Sequence, residues 1–132
     1  DHLAAQFPAV DTERVVRALE GILGSPEGRW ILSGGHSEAD NELALTIAGS
    51  DGLRRIVVDR TFVSPDGVRW VIDYKTSAHE GGALDDFLVS ESERYRPQLR
   101  AYAEALAVLD RRPIRTALYF PLQGILREVP VT

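Results

Sequence analysis

Arg55-Ile56-Val57-Val58-Asp59 and Arg69-Trp70-Val71-Ile72-Asp73-Tyr74-Lys75 are apolar runs that each end in charge, and the link between them carries Ser64-Pro65-Asp66-Gly67. Proline presets one turn dihedral and glycine accepts a positive φ, so the two runs are expected to form a β-hairpin. With a three-residue loop at Pro65, Asp66 and Gly67, Ser64 pairs with Val68, Asp59 faces Asp73 and Val57 faces Lys75. A loop of two or four residues would break that alignment. Alternation puts Asp73 and Lys75 on one face together with Asp59. Ile56, Val58, Phe62, Val68, Trp70, Ile72 and Tyr74 fall on the other, which is the expected core face.

Two carboxylates facing each other across a strand pair repel. A divalent cation is the simplest compensation. Carboxylate oxygens suit a hard ion such as Mg²⁺ or Mn²⁺, and the strand backbone beside Asp73 can add a carbonyl. Such an ion makes water easier to deprotonate and stabilises charge growing on a phosphate. Lys75 beside it can orient a nucleophile or neutralise a transition state. The competing reading is an ordinary cross-strand salt bridge between Asp59 and Lys75 at the end of a sheet. The second aspartate, one hairpin away, weighs against it.

The remaining chain supplies a frame for this hairpin. The 132 residues are expected to form a single domain, 1–132, with 44% hydrophobic and 27% charged residues, an ordinary globular profile. No apolar run approaches the ~20 residues that span a bilayer, so no membrane partner is expected. The absence of cysteine excludes disulfides, thiol catalysis and cysteine-held zinc or iron–sulfur clusters, and it fits a reducing compartment. The net charge is −5, whereas a domain that grips nucleic acid unaided is usually basic. Either the chain does not bind DNA, or it binds through a local basic patch, a metal and a larger partner. Arg54, Arg55, Arg60, Arg69, Arg94, Arg96 and Arg100 fall near the hairpin in sequence. For each arginine singly, a solvated surface is the simpler reading.

Residues Asp11 to Leu23 read as a helix capped by Asp11, with Val15, Val16, Leu19, Ile22 and Leu23 at helical spacing. Gly24-Ser25-Pro26-Glu27-Gly28 stops it, and Trp30, Ile31 and Leu32 read as a short extended piece. Leu43, Leu45 and Ile47 alternate with Glu42, Ala44 and Thr46 as a half-buried strand, followed by a turn at Gly49-Ser50-Asp51-Gly52. Strands are expected at 53–63 and 68–76, and a loop from Ser77 to Ser90. A helix at about 94–110 follows, with Pro97 in its first turn and Leu99, Ala103, Leu106 and Leu109 buried. Strands at 114–120 and 124–130 close the domain. The order α-β-β-β-α-β-β implies an α/β fold with a central mixed sheet flanked by helices.

Asp59, the run Asp73-Tyr74-Lys75-Thr76, and Tyr95 with Gln98-Leu99 and Tyr102 resemble the RecB-type nuclease domain of the PD-(D/E)xK superfamily. That domain lies at the C-terminal end of RecB/AddA-like, UvrD-related helicase–nucleases. The similarity runs from about Glu13 to Val129 and is closest in 55–77 and 95–106. It implies a restriction-endonuclease-like core and metal-dependent cleavage of DNA phosphodiesters. The strand would be single and fed by helicase domains, in double-strand-break processing in the cytoplasm. The resemblance assigns Asp59 and Asp73 as Mg²⁺ or Mn²⁺ ligands, with the Tyr74 carbonyl and Glu42 as a further candidate. It makes Lys75 the catalytic lysine and Gln98 and Tyr102 its downstream pair, four apart on one helical face. Without the resemblance, Tyr102 reads as a packed tyrosine, Gln98 as a solvated glutamine and Glu42 as a strand-end acid. Arg94, Arg96 and Arg100 become candidate contacts to the strand backbone. The usual Pro-Asp is Val58-Asp59 here. Many relatives carry an upstream metal-binding histidine, a role that neither His2 nor His36 takes over, and the chain is expected to be a piece of a longer protein. A nuclease fold that has lost catalysis and serves as a scaffold is the alternative, which the intact Asp, Asp, Lys, Gln and Tyr set opposes.

Overall fold

The computed structural model describes residues 12–49, 52–77, 79 and 81–131. Helix α1 (Thr12–Gly24) and the short α2 (Pro26–Ile31) precede a meander of β1 (Ser37–Gly49), β2 (Gly52–Val63) and β3 (Arg69–Tyr74). Helix α3 (Leu84–Leu109) then leads to β4 (Ile114–Phe120) and β5 (Ile125–Glu128). The strands form one sheet in the order β1-β2-β3-β4-β5. All neighbours are antiparallel except β3 and β4, which run parallel. A parallel pair needs a long crossover, and the 26-residue α3 supplies it. The mixed α/β architecture is the expected one, with α2 added.

The hairpin forms in the register that a three-residue loop dictates. Ser64 N donates to Val68 O at 2.9 Å and Gly67 N to Ser64 O at 2.8 Å. Gly67 takes φ 83°, the left-handed conformation the turn requires. Arg60 pairs with Ile72, Thr61 with Val71 and Phe62 with Trp70.

The faces differ from the expectation. Phe62, Trp70, Ile72 and Tyr119 pack against Ile31 and half-buried Ile22 and Trp30 of α1 and α2. Ile56 and Val58 lie on the opposite face, with Val71, under Tyr102, Ala105 and Leu106 of α3. Both faces are therefore core, and alternation along β2 is interrupted between Val58 and Phe62. The cause lies in the pairing with β1. That ladder joins Asn41 to Arg60 and Leu43 to Val58 but skips Glu42 and Asp59. Glu42 takes φ 52°, a left-handed backbone that residues other than glycine rarely adopt. The two strands exchange faces at this step while their register is kept.

Three further corrections concern helices. Trp30 and Ile31 are helical, not extended. Ser25 caps α2 by accepting from Gly28 N at 2.8 Å, and Pro26 stands in its first turn, where a missing donor does no harm. Helix α3 starts ten residues earlier than expected, so Pro97 is inside it and not in its first turn. An interior proline removes one helical bond. Packing of Leu88 and Leu99 with Leu118 and Phe120 holds the helix on both sides of that point. Its buried stripe runs through Leu99, Tyr102, Ala105 and Leu106, whereas Leu109 is exposed. Val16, Leu19 and Leu23 of α1 are likewise exposed. The Asp11 cap, His2, the turn at Ser50 and Asp51, and the side chains of Val15 and Ile47 lie outside the described residues.

Gly28 is where α2 meets the sheet. A Cβ there would lie 2.1 Å from the Ile22 carbonyl oxygen and 2.7 Å from the Tyr119 hydroxyl. That hydroxyl is itself 2.7 Å from Ser25 Oγ. Gly28→Ala is expected to destabilise the domain by about 1–3 kcal/mol in urea unfolding. Gly34→Ala, whose Cβ meets nothing within 4 Å, should stay within about 0.5 kcal/mol of wild type.

Candidate active site

Strands β2 and β3 pair as far as Arg60 and Ile72. The next facing positions are Asp59 and Asp73, and here the ladder stops. Asp59 Oδ2 accepts from Tyr74 N at 2.8 Å, so a carboxylate takes over a strand donor at the point where the strands part. Asp73 is 3% exposed, and its carboxyl acts at close range on that of Asp59. Lys75 lies just past β3, and its backbone N–H donates to Tyr119 O at 2.9 Å, so β4 holds it in place. Its Nζ is 2.9 Å from Asp73 Oδ2. That oxygen is buried, so the ion pair is largely shielded from water. The Asp59–Lys75 salt bridge of the competing reading does not form; the lysine takes Asp73 instead.

Helix α3 closes the site from one face. Tyr95, Gln98 and Tyr102 are three and four residues apart and share one helical face. The Lys75 ammonium lies 3.8 Å from the centre of the Tyr95 ring. Gln98 Nε2 donates to the Tyr102 hydroxyl. Both carboxylates bear on that hydroxyl: burial chiefly, then the charges of Asp73 and Asp59, push the Tyr102 phenol up, so it stays protonated at neutral pH. The spacing of Gln98 and Tyr102 is visible in the sequence. The contact of Tyr95 with Lys75 was not anticipated, although its place on the same stripe was a signal for it.

The carboxylates carry the mark of crowded negative charge. Asp59 is pushed up to about 7. Burial is the largest cause, followed by the hydrogen bond to Asp73 and then its charge. The Tyr74 N–H and the Lys75 ammonium oppose the shift without cancelling it. This donor set fits a hard divalent cation. Two adjacent carboxylates in a partly desolvated site need positive charge beyond the single ammonium that Lys75 brings to Asp73. Asp59, Asp73 and the Tyr74 carbonyl would hold the ion. Glu42 is next to Asp59 across β1 and β2, but its side chain is exposed. Among the described residues, no three acidic or histidine side chains converge as a ready-made cage.

The arginines divide. Arg60 is buried and donates twice to Ile31 O and once to Asn41. Arg69 is buried in ion pairs with Asp110 and Glu38. Neither belongs to a basic surface patch. Arg96 bonds Pro130 O and Glu93, and Arg100 donates to Val131 O at 3.2 Å, so both tie α3 to the segment after β5. Arg94 is largely exposed, 5.2 Å from the Tyr95 ring centre. His36 stacks on Phe62 with ring centres 3.9 Å apart, on the sheet face away from α3.

The model of the PD-(D/E)XK nuclease superfamily matches residues 12–129, and the chain belongs to that superfamily. Its members are generally nucleases and typically use divalent metal ions, which agrees with the paired carboxylates. No curated protein matches the chain. Among the described residues, no helix is long and apolar enough to cross a membrane.

The raised Asp59 carboxyl predicts how the metal-free domain responds to pH. The native state holds a proton between about pH 4 and pH 7 that the unfolded chain has released, so the native state binds more protons there. Stability contributed by this proton is full below about pH 4 and is lost as pH rises to about 7. Urea unfolding with a chelator present should show that decline, and Asp59→Asn should flatten it. A wild type whose stability is level or rising across this window would contradict the assignment.

Proposed function

We propose that this chain is a RecB-type nuclease domain that hydrolyses phosphodiester bonds of DNA, single-stranded and delivered by helicase domains of the same or a partner chain. The role fits double-strand-break processing and recombinational repair in the cytoplasm, with an exonuclease V-like activity. Residues 1–132 act as one unit in this reading. The observation that carries it is the buried contact of Asp59, Asp73 and Lys75 beneath the Gln98–Tyr102 pair. Tyr95, Gln98 and Tyr102 in this spacing are the part of the resemblance that points to the RecB type.

Asp59, Asp73 and the Tyr74 carbonyl would hold a Mg²⁺ or Mn²⁺ ion, which would supply Lewis acidity toward water and phosphate oxygens. Asp59 and Asp73 fix the place of the chemistry, because β2 and β3 orient them from opposite sides of one gap. Lys75 keeps a positive charge beside Asp73, where it can meet negative charge that grows on a phosphate oxygen. The Tyr102 hydroxyl, oriented by Gln98, offers a hydrogen bond from the α3 side. Arg94 and Arg100 provide a modest basic track, and the helicase supplies the rest of the affinity.

Asp73→Ala is expected to abolish Mn²⁺-dependent cleavage of a labelled oligonucleotide while circular dichroism stays native. Lys75→Ala should lower turnover by roughly 10²- to 10³-fold with metal affinity nearly unchanged. Calorimetry that finds equal Mn²⁺ binding in wild type and Asp59→Ala/Asp73→Ala would move the metal elsewhere and end this reading.

A further inference from the structure

Of the 15 basic residues in the sequence, only Lys75 is a lysine. Its side chain is 16% exposed, and its ammonium lies between Asp73 Oδ2 at 2.9 Å and the Tyr95 ring at 3.8 Å. The arrangement raises a physical question. A lysine on a flexible four-carbon stem, beside two touching carboxylates, has reason to settle between them and neutralise both. It does not do so here, since Asp59 has no ion pair with it and binds the Tyr74 N–H instead.

The Tyr95 ring accounts for the difference. An aromatic face attracts a cation that approaches within about 6 Å of its centre, and more strongly where water is scarce. The ring cannot yield, because it packs against the cluster of Leu88, Leu99, Leu118, Phe120 and Val129. It comes from α3, the element that also positions Gln98 and Tyr102. It therefore draws the ammonium toward the helix and off Asp59.

We infer that Tyr95 is a positioning residue for Lys75: its ring holds the ammonium at one oxygen of Asp73 and keeps it from bridging the carboxylate pair. The consequence for turnover rests on the catalytic role proposed above for Lys75; the placement itself does not.

Reductive methylation with ¹³C-formaldehyde tests the placement, because the chain has one lysine and the dimethyl product remains a cation. Over the ring face, the dimethyl-Lys75 resonance should lie upfield of its position in urea. It should remain upfield in Tyr95→Phe and return to the unfolded position in folded Tyr95→Leu. In cleavage assays of the unmodified chain, Tyr95→Leu should lower kcat roughly 3- to 30-fold at unchanged KM, with Tyr95→Phe restoring it. Coincident native and unfolded resonances in wild type overturn the inference, and that comparison decides the placement even if Tyr95→Leu fails to fold. Wild-type kcat in Tyr95→Leu, with Lys75→Ala inactive, overturns the inference alone. Wild-type kcat in Lys75→Ala overturns the reading it rests on, and the role of Tyr95 in turnover with it.

Discussion

Two carboxyl groups in contact, one on each side of the gap where β2 and β3 part, set the terms for the rest of the molecule. Asp73 is 3% exposed, and burial together with the adjacent Asp73 carboxyl pushes Asp59 up to about 7. Paired carboxylates in a sheet without compensation would be driven apart. Three elements prevent that. The Tyr74 N–H fixes Asp59, the β4 carbonyl of Tyr119 fixes the backbone of Lys75, and α3 covers the site with Tyr95, Gln98 and Tyr102. The parallel β3–β4 pair matters here for a specific reason: its crossover is the helix that closes the site.

A second constraint follows from the first. Near the site the sheet is covered on both faces, so Asp59 is partly desolvated, whereas Glu42 on the edge strand β1 keeps its side chain in solvent. Glu42 and Asp59 are skipped in the β1–β2 ladder, and Glu42 takes a left-handed φ of 52°. Such a conformation costs a residue with a side chain about 1–2 kcal/mol. It is sustained by what lies on either side of the step, Val58 under α3 and Phe62 against Ile31, both fully buried. The face exchange lets Asp59 reach the strand gap while its neighbours fill two different cores. Strain held in place by packing clusters at functional sites, and here it lies beside the candidate carboxylate pair.

What the sequence made legible was local chemistry. Ser64-Pro65-Asp66-Gly67 specified its own loop length, and loop length specified which residue faces which, so Asp59 and Asp73 could be brought together before any coordinates. The succession of strands along the chain and the α/β class followed from runs of apolar residues. Alternation failed at Asp59 because the exchange of faces depends on a φ value at Glu42, one strand away, that no residue type announces. The start of α3 is not legible in the sequence because Pro97 resembles a first-turn proline, whereas the contacts of Leu88 with Leu118 and Phe120 that carry the helix back to Leu84 are tertiary. The short α2 did have a local signal, a serine cap followed by proline and glutamate, and the preceding glycine masked it. The Lys75–Tyr95 contact needed both the α3 face and the end of β3 in space.

Counting arginines overstates the positive charge available to a polyanion. Arg60 and Arg69 are consumed inside the fold. Arg96 and Arg112 face acids on the surface, and Arg115 is engaged with Glu128 while it also lies over Trp70. With a net charge of −5, the surface offers little general attraction for a phosphate backbone. The site itself, with two carboxylates and one lysine, is no better without a cation. A phosphate can approach Asp59 and Asp73 favourably only when bound positive charge exceeds theirs. In the proposed function, cation binding at the carboxylate pair and approach of a phosphodiester would be coupled. The ammonium at Lys75 stands at one edge of the pair and not across it, which in that reading leaves room for the cation.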